Sequence, residues 1–367
     1  PRSTQGVSSA ASDVYKRQLM GITIKQPNIN TSFQTFVVNE KDEVEYGLSA
    51  LKDVGKKFIE DVCAERANGN FVSLMDFASR VDLRKGGIRA LNSLAKSGAF
   101  DDLCSRDEAV SSIKNYLEAS EQKFKSKESA VMDMFGSEQD IKVSGFDLRT
   151  FNDSEKLKME LESYGFYFSK HPIALMRKTL SSKLATINKL APSNNEKYIP
   201  VLINNKRVVK KGMSMFVFLE VSDETGIIDV SVPLEVFDEK KQLIKENALV
   251  MLKGTVVTDD YRKGNYEEVG VKIRATDLMP IDQGKKLVTS KIMLDIPRDK
   301  IKELGNGKFK EIKELNDPEG VEVVLNMKDD SLNISAEIKV DTFRVSLEDN
   351  TFEKINEIFG EENYTLI

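Results

Sequence analysis

The sequence predicts a multidomain α+β protein, and three changes of pattern along the chain carry this prediction. Apolar residues recur at helical spacing over residues 46–105, alternate as in strands over residues 198–280, and mix both periods over residues 285–367. The chain has 367 residues, enough for roughly two to four domains of about 100–150 residues each. Its hydrophobic content of 40% is sufficient for folded cores.

Composition excludes several classes of protein. The formal net charge is −5, so any contact with nucleic acid depends on local basic patches and oriented backbone groups. Cys63 and Cys104 show neither metal-ligand spacing nor a disulfide framework, which indicates free thiols in a reducing compartment and hence a cytoplasmic protein. No apolar run has the length of a membrane span, no signal peptide is recognisable, and a membrane partner is not expected.

The N-terminal residues, the single histidine and the catalytic motifs give three further expectations. Pro1–Gln18 is rich in Ser, Ala, Gln and Arg without periodicity, and we expect this leader to be unstructured or artefactual. His171 is the single histidine, so a histidine-based metal cluster is excluded; beside Pro172 it is expected to fix a turn by hydrogen bonding. No phosphate-binding loop, dinucleotide fingerprint or nucleophile elbow is present, and no catalytic residue, metal site or cofactor is predicted for this chain.

The helical region, residues 46–105, contains two glycine turns in tandem. Residues 47–59 and 88–101 each read as an apolar helix, a tight turn at Gly55 or Gly98, and a second helix. The free N–H groups at a helix start bind anions such as a DNA phosphate, so two such hairpins suit a duplex held without base reading. The alternative is two ordinary helical hairpins packed together. The candidate duplex-binding residues are the turn residues and nearby cations Lys52, Val54, Gly55, Lys56, Lys57, Arg89, Lys96, Ser97, Gly98 and Ala99.

Residues 106–197 read as a helical linker. A polar helix over Asp107–Ala130 is expected to bridge domains, and another helix is expected near Ser154–Tyr164. Between them, Met134 and Phe135 form an isolated apolar pair within a polar stretch. Such a pair suits an anchor for a partner's pocket, and a contact with the chain's own neighbouring domain is the equal alternative.

The pattern changes to strands near Tyr198, and the predicted domain covers residues 198–280. A helix over Glu235–Glu246 follows the third strand, which is the element order of an OB-fold β-barrel. The turn at Asp223–Gly226 is typical of a hairpin, and Gly254 marks a bend in a barrel strand. The five predicted strands are Ile199–Val209, Met213–Val221, Ile227–Val232, Leu249–Val257 and Tyr266–Ile273.

Two loops of this barrel carry cations where the fold borders nucleic acid. Stacking of single-stranded bases on nearby aromatic rings is one interpretation, and filling of the barrel by these rings is the other. The candidate cations are Lys206, Arg207, Lys210 and Lys211 in the first long loop and Arg262 and Lys263 between strands four and five. The candidate aromatic residues are Phe216, Phe218 and Tyr266.

The last region, residues 285–367, predicts a small α/β domain. Strands are expected over Leu287–Ile296, Val321–Met327, Ile334–Val340 and Phe343–Val345, with helices over Arg298–Leu315 and Phe352–Phe359. This region holds 13 basic and 18 acidic residues. An acidic surface of this kind indicates a protein partner rather than nucleic acid.

Taken in order, four sequence runs resemble the C-terminal portion of the alpha-subunit family of bacterial DNA polymerase III, the replicative polymerase. They are Tyr46–Gly55, Phe71–Phe77, Leu94–Asp101 and Tyr164–Pro172. The resemblance covers residues 19–367. Asp53 and Lys170 stand where the family has glycine, and Val131 stands where its clamp motif begins with glutamine.

The resemblance implies a role for each region. Residues 19–45 would end the fingers region, residues 46–105 would grip duplex DNA, and the barrel would meet single-stranded template. The segment Val131, Met132, Asp133, Met134 and Phe135 would bind the sliding clamp, with residues 285–367 docking the clamp-loader subunit among the other holoenzyme subunits. The palm aspartates that hold Mg²⁺ are absent from this sequence, so the chain by itself is expected to incorporate no nucleotide.

Three other functions remain open on the sequence. The chain could act as a stand-alone nucleic-acid-binding adaptor that joins helical hairpins to an OB fold. It could be a nuclease with an unrecognised site. It could also be a protein-interaction scaffold whose hairpins never touch DNA.

Overall fold

The computed structural model describes residues 22–129, 143, 145–211, 214–258, 270–297, 314–329, 334–360 and 363–367. The chain forms two compact units, Pro1–Lys170 and His171–Ile367. The predicted clamp segment, residues 131–135, lies outside the described residues, as do Arg262, Lys263 and Tyr266.

The first unit joins a small sheet to five helices. The strands pair in the order β1-β3-β2, with β1 parallel to β3 and β2 antiparallel to it. The strands are β1 (Ile24–Lys25), β2 (Val37–Val38) and β3 (Val44–Glu45). The helices are α1 (Lys56–Arg66), α2 (Leu74–Arg80), α3 (Gly87–Ser97), α4 (Arg106–Ser129) and α5 (Asp153–Tyr164), and short 3₁₀ turns lie at Leu48–Ala50 and Leu83–Lys85.

Side chains at the ends of these helices explain where they begin. Ser73 precedes α2, and its side chain accepts a hydrogen bond from the Asp76 amide. Asn152 and Glu155 form a reciprocal capping box at the start of α5. Both caps satisfy amides that a helix start otherwise leaves without partners.

One hydrophobic core unites the first unit, from Ile24 to Phe168. Helix α4 contributes Ala109, Ile113 and Leu117 to this core, although its composition is mostly polar. Their four-residue spacing places all three on one helical face. The bridging of domains by this helix stays a prediction, and its first half also packs in the core of the first unit, because three regularly spaced apolar residues suffice to bury one stripe.

The barrel of the second unit confirms the predicted OB-fold order. Its strands close in the order β4-β5-β6-β8-β7, and Gly254 lies at a register shift between β7 and β8. An added Cβ there would collide with the backbone oxygen of Arg274, which explains the glycine. The strands are β4 (Ser193–Lys211), β5 (Ser214–Asp223), β6 (Gly226–Val232), β7 (Leu249–Thr258) and β8 (Val271–Pro280).

Two predicted boundaries in this unit are wrong. Helix α7 covers Leu234–Lys240 and ends before the predicted Glu246. Strand β8 continues to Pro280, seven residues past the predicted end at Ile273. The sequence concealed this extension because a bulge at Thr276 breaks the apolar alternation, whereas Asp277 pairs with Lys253 and continues the strand beside β7.

The C-terminal sheet is built of four strands in the order β11-β10-β9-β12. Helix α8 (Ile281–Val288) precedes it, and helix α9 (Asp349–Phe359) supplies Phe352, Ile355 and Phe359 to its core. The strands are β9 (Lys291–Pro297), β10 (Asn316–Asp329), β11 (Ile334–Val345) and β12 (Tyr364–Leu366). The two strands predicted on either side of residues 341–342 form one strand, and the predicted strand start at Leu287 is the end of α8.

The described residues contain neither a helix that could span a membrane nor a group of side chains that could hold a metal ion. No described helix has both the length and the apolar character needed to cross a membrane. Within the same described part of the chain, no three His, Cys, Asp or Glu side chains are grouped so as to hold a metal ion.

Candidate nucleic-acid interface

The first glycine turn ends in an open helix start. Gly55 is the N-cap of α1 with φ −77° and ψ 137°, no side chain caps the helix, and its first turn contains no acidic residue. Gly55, Lys56 and Lys57 are all exposed. A helix start of this kind combines unsatisfied N–H groups with the positive end of the helix dipole. The geometry therefore suits a phosphate oxygen.

Asp53 and Val54 shape this turn. Asp53 adopts the left-handed conformation with φ 62°, which aspartate tolerates better than most residues. The Val54 side chain is buried in the core and its amide lies 3.4 Å from the Leu51 oxygen. Val54 thus anchors the turn beneath the exposed residues rather than presenting a surface of its own.

Lys52 contacts the C-terminal end of helix α5. Its amide donates to the Ser163 oxygen at 2.8 Å and its Nζ donates to the Leu161 oxygen at 3.1 Å. These carbonyls belong to the last turn of α5, where a cation stabilises the negative end of the dipole. Contact of Lys52 with DNA stays a prediction, and the structure gives this residue a packing role that the sequence did not reveal.

The second glycine turn lies at the end of a helix, and its backbone amides already donate hydrogen bonds within the protein. Gly98 follows α3 in the left-handed conformation with φ 82°. Its amide donates to the Ala95 oxygen at 3.2 Å, and that of Ala99 donates to the Leu94 oxygen at 3.0 Å. The expectation that this turn presents free amides is therefore wrong for Gly98 and Ala99, because α3 ends in a hydrogen-bonded cap.

A polar cover lies over the second turn. Ser97, Gly98 and Ala99 are buried, and the Ser97 oxygen accepts hydrogen bonds from Tyr164 Oη at 2.7 Å and from Gln26 Nε2 at 3.0 Å. A phosphate would have to displace these donors to reach this turn.

The charges around the second turn also differ from those around the first. Lys96 forms an ion pair with Glu162. Asp101 is exposed and accepts a hydrogen bond from Arg106. The first turn of α4 adds two further carboxylates, those of Asp107 and Glu108. Arg89 is exposed on α3. Carboxylates at a helix start repel a phosphate, so this corner favours structure over anion binding.

Three aromatic residues of the Tyr164–Pro172 run pack around Tyr46. Tyr164, Phe166 and Phe168 all lie against Tyr46, with the Tyr46 and Tyr164 rings 5.1 Å apart and at 89°. Burial raises the pKa of Tyr46 to about 12, so its hydroxyl stays neutral. The cluster joins the N-terminal end of the first turn to the end of α5.

His171 has the turn-fixing role that its position predicts. Its Nδ1 accepts a hydrogen bond from the Ile173 amide at 3.2 Å, and its Nε2 lies 3.0 Å from Ser222 Oγ. Burial lowers the pKa of His171 to about 4, with Asp223 opposing and Arg177 reinforcing the shift. The neutral ring therefore joins helix α6 (Pro172–Met176) to the barrel.

The outer face of the barrel brings predicted cations and aromatic rings together. Arg207 on β4 pairs with Phe218 on β5, and its guanidinium lies over that ring at 5.6 Å. Phe216 is 47% exposed, which favours the interpretation that it faces a ligand. Its neighbour Val217 is buried in the barrel, so alternation explains both orientations.

The three remaining predicted cations on β4 have different surroundings. Lys206 donates to the Ile244 oxygen at 3.4 Å and lies over the Phe237 ring, which indicates packing against the barrel. Lys210 is exposed near the tip of the β4–β5 hairpin. Lys211 pairs with Ser214 at the tip. Sequence reasoning missed Arg274, an exposed cation on the same face, because the fifth strand was predicted to end before it.

These modules define a multidomain nucleic-acid-binding protein that joins helical hairpins to an OB fold. A helix-hairpin-helix motif model matches residues 21–109, and an OB-fold nucleic acid binding domain model matches residues 201–281.

The resemblance found in the motifs is confirmed by similarity to the DNA polymerase III subunit alpha over about three quarters of this chain. The chain is 29% identical to that protein of Pasteurella multocida over 293 residues, which cover 77% of this chain and 25% of the relative. It is 28% identical to the Pseudomonas aeruginosa protein over 311 residues, covering 77% and 26%. The Escherichia coli protein is 28% identical over 279 residues, covering 73% and 23%. The chain thus spans about a quarter of the length of these curated relatives.

Solved structures add little. A replication protein A heterotrimer bound to single-stranded DNA aligns over 42% of this chain and 37% of that chain, at 11% identity and a TM-score of 0.23.

Proposed function

We propose that this chain is the DNA-holding and replisome-tethering part of a bacterial replicative DNA polymerase subunit, working in the cytoplasm. The open start of α1 at Gly55, Lys56 and Lys57 is the observation that carries the proposal. It combines exposed cations with a helix start that no side chain caps. The similarity to DNA polymerase III alpha subunits supports the same assignment.

In this proposal the two units hold different forms of DNA. The first turn binds a phosphate of the duplex, using backbone N–H groups for position and Lys56 and Lys57 for charge. The barrel binds single-stranded template on its outer face, where Phe216 and Phe218 offer rings for stacking. Neither surface reads base sequence.

Tethering completes the function. We infer that Val131–Phe135 binds the sliding clamp through Met134 and Phe135, and that residues 285–367 dock the clamp-loader subunit and so meet the rest of the holoenzyme. A tether makes the next encounter with DNA intramolecular and raises its effective concentration. We infer that Mg²⁺ binding and nucleotide incorporation need palm residues that this sequence does not contain.

Binding of a labelled duplex by the full chain tests the first part of the proposal. We expect Lys56→Ala with Lys57→Ala to weaken duplex binding in fluorescence anisotropy. The matched control is Lys114→Ala with Lys123→Ala on α4, away from the turn. Equal affinity of the two double variants would contradict the assignment.

Two further assays test tethering and chemistry. Met134→Ala with Phe135→Ala should abolish clamp pull-down and leave duplex binding intact. Retention of clamp binding would place the anchor elsewhere. The purified chain should extend no primer, and synthesis by it would show an unrecognised polymerase site.

A further inference from the structure

A small cavity lies in the second unit beside the beginning of β4, and we call it the β4 pocket. Its volume is about 270 Å³. Three segments line it: residues 183–185 before the barrel, residues 196–198 on β4, and Val288 at the end of α8. The predicted cations Lys206 and Arg207 lie towards the other end of β4. The β4 pocket therefore shares no residue with the face proposed to bind single-stranded DNA.

Part of the lining is apolar and firmly held. Leu184 is buried, and it belongs with the half-buried Tyr198 and Val288 to one hydrophobic cluster outside the barrel core. The chain beside Leu184 is fixed by its backbone, because the amide of Ser182 donates to the Leu366 oxygen at 2.9 Å. A pocket wall of this kind needs no rearrangement to receive an apolar group.

The charged groups of the lining leave an excess of positive charge. Glu196 forms an ion pair with Lys253 at 2.7 Å. Hydrogen bonds from Lys253 and Thr276 hold the pKa of Glu196 below its usual value, so this carboxylate is already engaged. Lys183 and Lys197 also line the pocket, and among the described residues neither ammonium group has a carboxylate partner. These two cations beside an apolar wall indicate an anionic ligand.

Size and charge narrow the class of ligand. The volume lies just below the ~300–1,000 Å³ of sites for drug-sized molecules, so the pocket suits a ligand of about one nucleotide. A phosphomonoester carries about −1.5 to −2 charges at neutral pH, whereas a phosphodiester inside a DNA strand carries one. The two ammonium groups therefore match a phosphomonoester best, and the ring of a tyrosine suits stacking of a base.

We propose that the β4 pocket is a binding site for a nucleotide phosphomonoester. In it Lys183 and Lys197 bind the phosphate, and the base packs against Tyr198 and Leu184. The same chemistry occurs in a free nucleoside monophosphate and at the phosphorylated end of a DNA strand. This site goes beyond the proposed DNA-holding function and does not depend on it.

Calorimetric titration of the full chain with dAMP tests the phosphate contacts. Lys183→Ala and Lys197→Ala should each weaken dAMP binding by about fivefold, as expected for one partly exposed charge pair. Lys189→Ala is the matched control, since it removes an exposed lysine of the same unit that does not line the pocket. Deoxyadenosine, which lacks the phosphate, should bind at least about tenfold more weakly than dAMP. Thermal unfolding checks that all variants are folded.

A second measurement separates the base from the phosphate. Tyr198→Leu keeps an apolar side chain and removes the ring, so it should weaken dAMP binding by about fivefold or more. The same variant should bind inorganic phosphate as the unaltered chain does. Equal dAMP affinity of this variant and the unaltered chain would overturn the role of the ring and with it the assignment to a nucleotide.

Two dinucleotides identify the source of the ligand. If a 5′-phosphorylated thymidine dinucleotide displaces dAMP and its 5′-hydroxyl form does not, the pocket accepts the end of a DNA strand. If neither form displaces dAMP, the pocket takes free nucleotides alone. Both results support the proposal, whereas equal displacement by the two forms would overturn it, because the pocket would then not select a phosphomonoester.

Three further results would show that the pocket is not such a site. One is equal dAMP affinity of the two lysine variants and the unaltered chain. Another is binding of deoxyadenosine as tight as that of dAMP. The third is an absence of dAMP binding at millimolar concentration. None of them affects the proposed function, because that function rests on the open start of α1.

Discussion

The two glycine turns of the first unit have similar sequences and opposite structural roles. Gly55 has an ordinary φ of −77°, and an added Cβ there meets no atom within 4 Å. Gly98 has φ 82°, and an added Cβ would collide with Gln26 and Arg106. The first glycine therefore leaves space for a ligand, whereas the second leaves space for the protein itself. A glycine in a turn motif is evidence of function only when nothing in the fold requires it.

The largest effect expected from this comparison is on stability. Gly98→Ala forces a side chain into the left-handed conformation and into the cover formed by Gln26 and Arg106. We expect the free energy of unfolding to fall by about 3 kcal/mol or more, measured by urea denaturation. Gly55→Ala is the matched control and should change it by less than about 1 kcal/mol. Equal losses in the two variants would remove the distinction between the turns.

The second effect is on affinity for duplex DNA. Here the substitution at Gly55 is expected to matter, whereas for stability the substitution at Gly98 does. Gly55→Ala should weaken binding of a labelled duplex by about tenfold, because the new methyl group holds a phosphate away from charge-assisted hydrogen bonds worth about 1.5–3 kcal/mol. Anisotropy titration at fixed salt measures this change. Unaltered affinity would mean that the open helix start carries no phosphate.

The third effect separates lysines by their partners. Lys56→Ala with Lys57→Ala should reduce the salt dependence of duplex binding by about 1.8 in the slope of log affinity against log salt, since each contact releases about 0.9 counterion. Lys96→Ala should leave that slope unchanged, because Lys96 is paired with Glu162. A comparable reduction of this slope in both variants would indicate that the second turn also contacts DNA.

The smallest effect concerns the cover of the second turn. Tyr164→Phe removes the hydrogen bond from its hydroxyl to the Ser97 oxygen and leaves a buried carbonyl with one donor fewer. We expect a loss of about 1 kcal/mol in the free energy of unfolding, with duplex affinity unchanged. Weakened duplex binding at full stability would show that this turn contributes to the interface after all.

Much of the architecture follows from local pattern. Alternating apolar residues predicted a five-stranded barrel with a helix after its third strand, and the closed order β4-β5-β6-β8-β7 confirms it. The turn role of His171 is confirmed in the same way. These features depend on residues near one another in sequence, so a single chain reveals them.

Contacts between residues that lie far apart in the sequence could not be predicted from it. The end of β8 was misplaced because the bulge at Thr276 breaks the alternation, while pairing from Asp277 onward with β7 maintains the strand. Arg274 was missed for the same reason. Helix α4 was assigned to a linker because its three core residues are few, although their spacing is regular.

The amino-acid sequence by itself determined which modules this protein contains, because helical period, strand alternation and turn residues act over short distances along the chain. Only the tertiary structure decided which of its glycine corners is open. Gln26, Arg106 and Tyr164 come from three separate segments to cover Gly98 and its neighbours, and no comparable cover lies over Gly55 among the described residues. Access to a backbone amide depends on what packs above it, and packing joins residues that the sequence keeps far apart.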